Sequence, residues 1–101
     1  MDMAETLVRI ADSLPKVYQF SFADQLRRAA LSVPSNIAEG AGRQGHRDRA
    51  NFYSMAKGSV YEAINVVELL KRLDLVDSKF NLDKIYVDAE EICKMLYGLG
   101  K

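Results

Sequence analysis

The segment whose residue spacing comes closest to a cofactor site is the glycine-rich stretch 40–45, GAGRQG. Gly40, Gly42 and Gly45 match the G-x-G-x-x-G pattern that cradles a dinucleotide pyrophosphate, and Glu62 follows about 20 residues later, where an acidic residue would bind the ribose. That pattern works only between a strand and the helix that it opens. Here helical patterns lie on both sides. The sequence therefore predicts a helix–helix turn with glycines in left-handed conformations, and no cofactor.

Metal and nucleophile chemistry would have to use a single histidine, His46, and a single cysteine, Cys93. A di-iron bundle needs Glu-x-x-His pairs, but the residue three positions before His46 is Arg43. His46 is predicted in an exposed loop, and Cys93 on the last helix as a half-buried apolar residue. We expect no metal site, no catalytic residues, no small-molecule substrate and no enzyme activity.

Cysteine usage and hydropathy bear on where the protein resides. One cysteine allows no intrachain disulfide, which fits a reducing compartment. The first residues lack the apolar run of a signal peptide, and no run of about 18 apolar residues could span a membrane. We expect a cytoplasmic protein without a membrane partner.

A stripe of polar residues recurs at helical spacing in the second quarter of the chain. It comprises Ser32, Ser35, Asn36, Glu39 and Arg43. Such a stripe is commonly the solvated face of a bundle helix. Serine and asparagine are less typical of a solvated face than glutamate and lysine, however, and buried polar groups need partners. The other hypothesis is a hydrogen-bonded contact with another subunit.

Basic residues concentrate in the middle of a chain whose net charge is zero. Residues 25–57 carry six basic and two acidic side chains. The candidates for contact with nucleic-acid phosphates are Arg27, Arg28, Arg43, Arg47 and Arg49. Residues 23–51 contain no aromatic side chain for base stacking, and these arginines could equally be solvated or paired with acids.

Apolar residues recur at helical spacing in four segments, without the alternation of strands. Pro15 ends the first segment because it lacks an N–H and its ring clashes with the preceding turn. The second starts at Ser21, a predicted capping partner of Asp24. The third is the longest and follows Gly45, and the fourth follows Asn81. The apolar faces are Met3, Leu7, Ile10 and Leu14; Phe22, Leu26, Ala29, Val33 and Ile37; Phe52, Ala56, Ser59, Ala63, Val66, Leu70 and Leu73; and Leu82, Ile85, Ala89, Ile92, Leu96 and Leu99.

Two positions inside these segments are unusual for a helix. Pro34 removes the hydrogen bond to the Ala30 carbonyl, so the second helix is either kinked there or broken into two helices at Val33. The kink is favoured because the apolar stripe keeps its phase on both sides. Gly58 lies midway along the third helix, either by neutral drift or because a neighbouring backbone approaches closely.

Short connections between amphipathic helices predict an all-α fold, an antiparallel up-and-down four-helix bundle formed by one domain, residues 1–101. The third helix exceeds the first in length by several residues. We therefore expect the other helices of the same chain to leave part of it uncovered.

The sequence resembles the 23S rRNA intervening-sequence proteins, also called four helix bundle proteins. The resemblance rests on residues 25–30, QLRRAA, on residues 32–40, SVPSNIAEG, and on Gly42-Arg43; a second motif includes Ala56, Gly58-Ser59 and Glu62. Ala41 stands where the family usually has an aromatic residue. The resemblance implies a four-helix bundle that forms a ring, a homopentamer, and it implies no enzyme activity. Its link to RNA is by association only.

Two functions follow as hypotheses. One is a self-associating structural or interaction scaffold, with other copies of the chain or another protein as its partner. The alternative is an accessory protein for RNA or DNA, in which a ring repeats the arginine patch so that weak phosphate contacts add.

Overall fold

The computed structural model describes residues 2–101 and contains four α-helices. They are α1 (Asp2–Ser13), α2 (Phe22–Ala41), α3 (His46–Arg72) and α4 (Leu82–Leu99), with a short 3-10 turn at Lys16–Tyr18. The described residues form no strand. The predicted all-α class and the four predicted helices are thereby confirmed, and α3 is the longest of them.

The connection between α1 and α2 is a rigid turn. α1 ends at Ser13, just before Pro15, as predicted. Gln19 then donates its side-chain amide to the carbonyls of Ala11, at 2.9 Å, and Leu14, at 2.8 Å, which satisfies backbone acceptors that the helix end leaves free. Ser21 occupies the cap position of α2, but its hydroxyl donates to the Tyr18 carbonyl. The predicted capping pair is therefore wrong.

α2 runs without interruption from Phe22 through Pro34 to Ala41. The alternative of two helices that meet at Val33 is therefore wrong. Proline costs the helix one backbone hydrogen bond, and apolar side chains on both sides of it compensate by remaining in one phase. Leu26, Ala29 and Val33 are buried before Pro34, and Ile37 is half-buried after it.

α3 and α4 begin and end close to the predicted positions. Gly45 precedes α3, with Asp48 in its first turn and Lys71 and Arg72 in its last, which suits the helix dipole. Asn81 caps α4 by accepting a hydrogen bond from the Lys84 N–H at 3.1 Å.

Each helix packs against the next in the chain, and α1 also contacts α4. All four helices contribute to one apolar core, whose fully buried members include Leu7, Leu26, Val60 and Ile85. Each such side chain stabilises the fold by roughly 1.5–3 kcal/mol. A smaller cluster of Tyr53, Ala56 and Leu96 lies at the other end of α3 and α4. No helix among residues 2–101 has both the length and the apolar character to cross a bilayer.

Candidate functional site

The predicted polar stripe lies on α2 and divides into an inner and an outer half. Ser32 and Asn36 are half-buried, whereas Ser35 and Glu39 are exposed. The Ser32 hydroxyl forms a hydrogen bond of 2.7 Å with the Ser59 hydroxyl on α3. The inner half therefore joins two helices of the same chain, and the outer half faces outward.

Asn36 extends this hydrogen-bonded group. Its side-chain N–H groups donate to the Ser32 carbonyl at 2.9 Å and to the Ser32 hydroxyl at 3.0 Å. Its amide oxygen accepts no bond from any of residues 2–101. Ser59 also donates to the Met55 carbonyl at 3.2 Å. The group thus presents an acceptor at the surface between α2 and α3.

The apolar periodicity assigns Ser59 to the apolar face of α3, but its hydroxyl is hydrogen-bonded to Ser32 and to the Met55 carbonyl. Tyr53 and Val60 are buried beside Ala56 and Ala63, while Leu73, predicted in that face, is 49% exposed just after the helix ends. A serine at helical spacing among apolar residues, opposite another serine stripe, was the signal available in the sequence.

Gly58 on α3 and Gly40 on α2 differ in how closely other residues of the chain approach them. A Cβ at Gly58 would have no atom within 4 Å, so no backbone of this chain approaches it. Close approach occurs instead at Gly40, which is buried within α2. A Cβ there would lie 2.7 Å from Tyr53 Cε1 and 3.1 Å from Phe52 Cβ, on α3. Gly40 therefore lets α2 and α3 converge.

The glycine-rich segment is a helix–helix connection, but it uses no left-handed glycine. Gly42 has φ −84° and Gly45 has φ −79°. Across residues 2–101 the left-handed conformation occurs at Asp74, with φ 56°, and at no glycine. The prediction of left-handed glycines is wrong, because the chain leaves α2 through ordinary helical angles and enters α3 from an extended residue.

Arg43 is held at this connection by several groups. Its guanidinium pairs with Glu39 at 3.2 Å and with Asp48 at 3.7 Å, and it lies 4.7 Å from the centre of the Phe52 ring. These contacts hold the C-terminal end of α2 near the first turn of α3. Such partly exposed ion pairs each contribute less than about 1 kcal/mol.

The five candidate arginines do not form one patch. Arg27 and Arg28 lie about 24 Å along α2 from Arg43, at 1.5 Å per residue. Arg27 bonds to Asp12 at 2.8 Å, and Arg28 pairs with Asp24 at 3.2 Å. Arg43, Arg47 and Arg49 do come together at the α2–α3 connection.

The arginines at the connection differ in how they are used. Arg49 donates to the backbone carbonyls of Arg43, at 3.2 Å, and Gln44, at 2.6 Å. Arg47 is exposed in the first turn of α3 and pairs with none of residues 2–101. Arg47 is thus the arginine most available to a bound anion.

A groove between α3 and α4 was not predicted. It has a volume of about 680 Å³. Its apolar walls carry three tyrosines, Tyr61, Tyr86 and Tyr97, with Lys57 and Lys94 at the edges. Tyr86 and Tyr97 are eleven residues apart, or about three helical turns, and so share one face of α4. That spacing is the feature of the sequence that indicates an aromatic face on α4.

Two of the tyrosines have perturbed acidity. Electrostatic interaction with the Cys93 side chain, a hydrogen bond to the same side chain and burial raise the pKa of Tyr61 above its ordinary value. Burial, together with the hydrogen bond that Tyr86 donates to Glu68 and the charges of Glu68 and Asp83, raises the pKa of Tyr86 to about 12. Both phenols therefore remain protonated at neutral pH and can donate hydrogen bonds.

Residues that could bind a metal are scattered. No three His, Cys, Asp or Glu side chains converge to bind a metal ion anywhere in residues 2–101. His46 is exposed at the start of α3, in the helix rather than in the predicted loop, and Cys93 is half-buried on α4 as expected.

Comparison with known protein families gives a match over nearly the whole chain. The profile of a family described as "23S rRNA-intervening sequence protein" matches residues 1–98, nearly the whole chain. No curated protein matches the chain. The matched span includes the polar stripe, the glycine-rich connection and both walls of the groove.

Proposed function

Because the chain belongs to the 23S rRNA-intervening sequence protein family, we propose that it is a non-enzymatic scaffold that assembles with copies of itself through the α2–α3 surface. The observation that carries this proposal is the hydrogen-bonded group of Ser32, Asn36 and Ser59. It leaves an acceptor on Asn36 at the surface, beside the open helix surface at Gly58. A second copy would supply the donor.

The proposal extends to the finer architecture. Helices joined by short connections and packed in chain order favour an antiparallel up-and-down bundle, with a bend in α2 at Pro34. The assembly is a ring, expected to be a homopentamer. A single half-buried cysteine suits a reducing compartment, so we place the protein in the cytoplasm.

Light scattering coupled to size-exclusion chromatography tests self-association. The wild-type protein should elute at a multiple of 11.3 kDa. Asn36→Ala removes the free acceptor, and Glu39→Ala removes an exposed carboxylate beside it. Either change should lower the mass towards that of one chain, with the helical circular dichroism retained.

Glu5→Ala is the matched control for Glu39→Ala. Glu5 is also exposed and also pairs with an arginine four residues later, Arg9, at 2.7 Å, but it lies on α1. Its loss should leave the mass unchanged. A wild-type protein of one-chain mass at micromolar concentration would refute the scaffold. If both variants kept the mass of the wild-type assembly, the contact between copies would have to lie outside the polar stripe.

Arg47 favours a second candidate function, binding of RNA or DNA through phosphate contacts. Its exposed, unpaired guanidinium lies beside Arg43 and Arg49, and a ring would repeat this cluster. Filter binding of labelled RNA at about 50 mM and about 200 mM salt should then show a steep loss of affinity. Arg47→Gln should weaken binding, and Arg72→Gln, an exposed arginine at the opposite end of α3, should not. Affinity independent of salt would contradict phosphate contacts.

A further inference from the structure

The groove between α3 and α4 is concave, aromatic and open. Val60 and Ala89 form part of its buried floor, and Tyr61 and Tyr97, both more than half exposed, form its sides. Apolar grooves between two helices are the usual receptors for a ridge of side chains from a third element.

A second exposed surface lies on the other side of α3, next to α2. We call it the α3 ridge and define it as Met55, Gly58, Ser59 and Glu62. Spacings of three and four residues place Met55, Ser59 and Glu62 along one edge of the helix, and Gly58 adjoins it. Met55 is 52% exposed, and Gly58 has open space around it.

We propose that the α3–α4 groove of one copy receives the α3 ridge of the next copy. This inference rests on the proposed self-association and names the two surfaces that meet. Met55 is flexible and its sulfur packs favourably against aromatic rings, so it suits a space between tyrosines. Gly58 lets the neighbouring helix approach without a clash.

Charge favours the same pairing. Glu62 pairs with none of residues 2–101, so its carboxylate is available at the ridge. Lys57 and Lys94 lie at the edges of the groove. Lys94 pairs with Glu90 at 3.1 Å, whereas Lys57 lies 5.7 Å from the centre of the Tyr97 ring and has no carboxylate partner within residues 2–101. Glu62 of one copy and Lys57 of the next therefore form an ion pair across the contact.

The positions of the two surfaces along α3 decide which symmetry they allow. The ridge spans residues 55–62 and the α3 wall of the groove spans residues 57–64, so both lie at nearly the same height. Two copies placed side by side can therefore join without sliding along the helix axis. The contact joins two different surfaces, and such a contact generates a ring where the rotation between copies closes, instead of a two-fold dimer.

Two single variants test the pairing without disturbing the fold of one chain. Gly58→Arg adds a long side chain where the chain itself offers open space, and it places positive charge against Lys57 of the next copy. Tyr61→Glu places negative charge in the groove, where it repels Glu62 on the ridge of the next copy. Each should raise the dissociation constant for assembly by at least about tenfold, as measured by analytical ultracentrifugation.

Mixing the two variants gives the decisive measurement. The intact ridge of Tyr61→Glu can enter the intact groove of Gly58→Arg, so equal amounts should form assemblies of one-to-one composition that neither variant forms alone. Gly98→Arg and Val87→Glu are the matched controls. Both positions are exposed on α4 outside the groove, and both variants should assemble as the wild type does.

The outcomes separate this inference from the function on which it rests. A wild-type protein that stays a monomer refutes both. Assembly of both variants at wild-type affinity refutes the groove and ridge pairing and leaves the scaffold intact. Helical monomers that fail to assemble on mixing also refute the pairing, because that result indicates a contact between identical surfaces.

Discussion

The α2–α3 and α3–α4 contacts share one helix but differ in how closely the facing residues approach each other. Between α2 and α3 two small residues of α2 meet α3 closely, because Gly40 lies against Tyr53 and the Ser32 hydroxyl bonds to Ser59. Between α3 and α4 the outer residues are Tyr61, Tyr86 and Tyr97, which stand beside a groove. Small residues let two helices converge, and large aromatic residues at the edge of a contact leave concave surface that another element can fill.

The test with the largest expected effect on stability replaces a glycine by alanine, which adds one methyl group to the helix contact. Gly40→Ala places a Cβ 2.7 Å from Tyr53 Cε1, and Tyr53 is itself buried, so the helices must separate. We expect a loss of about 1–3 kcal/mol in the free energy of unfolding. Chemical denaturation followed by circular dichroism, at one fixed protein concentration, measures it.

Gly58→Ala is the matched change on the facing helix. Its new Cβ meets no atom within 4 Å, and alanine is a better helix former than glycine, so the free energy of unfolding should rise by about 0.5–1 kcal/mol. Equal and same-signed effects at Gly40 and Gly58 would contradict the view that α2 and α3 converge at Gly40 alone.

These two glycines also show which features of the fold can be predicted from the sequence. Local signals predicted the helices correctly, because Pro15 and Asn81 act on the backbone within a few residues of themselves. The close approach at Gly40 depends on Tyr53 of another helix, and no local pattern encodes it. From the sequence alone Gly40 is therefore predicted in a turn, and close approach is one of the two alternatives at Gly58.

In the candidate site too, the sequence predicts local features but not the contacts between helices. The helical spacing of Ser32 and Asn36 was visible in the sequence, but their partner Ser59 was hidden among apolar residues of α3. The groove depends on how α3 and α4 face each other, which the tyrosine spacing alone does not give. Ser21 failed as a cap for a similar reason, since the tight turn before α2 offers it the Tyr18 carbonyl.

The next largest effect concerns the hydrogen bond across the α2–α3 contact. Ser32→Ala and Ser59→Ala should each lower the free energy of unfolding by about 1 kcal/mol, because each leaves the other hydroxyl short of a partner. The double variant should lose less than the sum of the two, because it leaves neither hydroxyl without the other. Strictly additive losses would show that the two hydroxyls contribute independently.

The smallest expected effect lies on the α3–α4 side, where Tyr86 donates a hydrogen bond to Glu68. Because the pKa of Tyr86 is raised from 10.0 to about 12, the contribution of its protonated phenol is complete below pH 10 and is lost as the pH rises towards 12. Tyr86→Phe should cost less than about 1 kcal/mol at pH 8, since the pair is partly exposed. The difference in unfolding free energy between wild type and Tyr86→Phe should shrink between pH 10 and 12. A difference that stays constant over that range would mean that the phenol and Glu68 do not interact in solution, and that the α3–α4 contact depends on apolar packing alone.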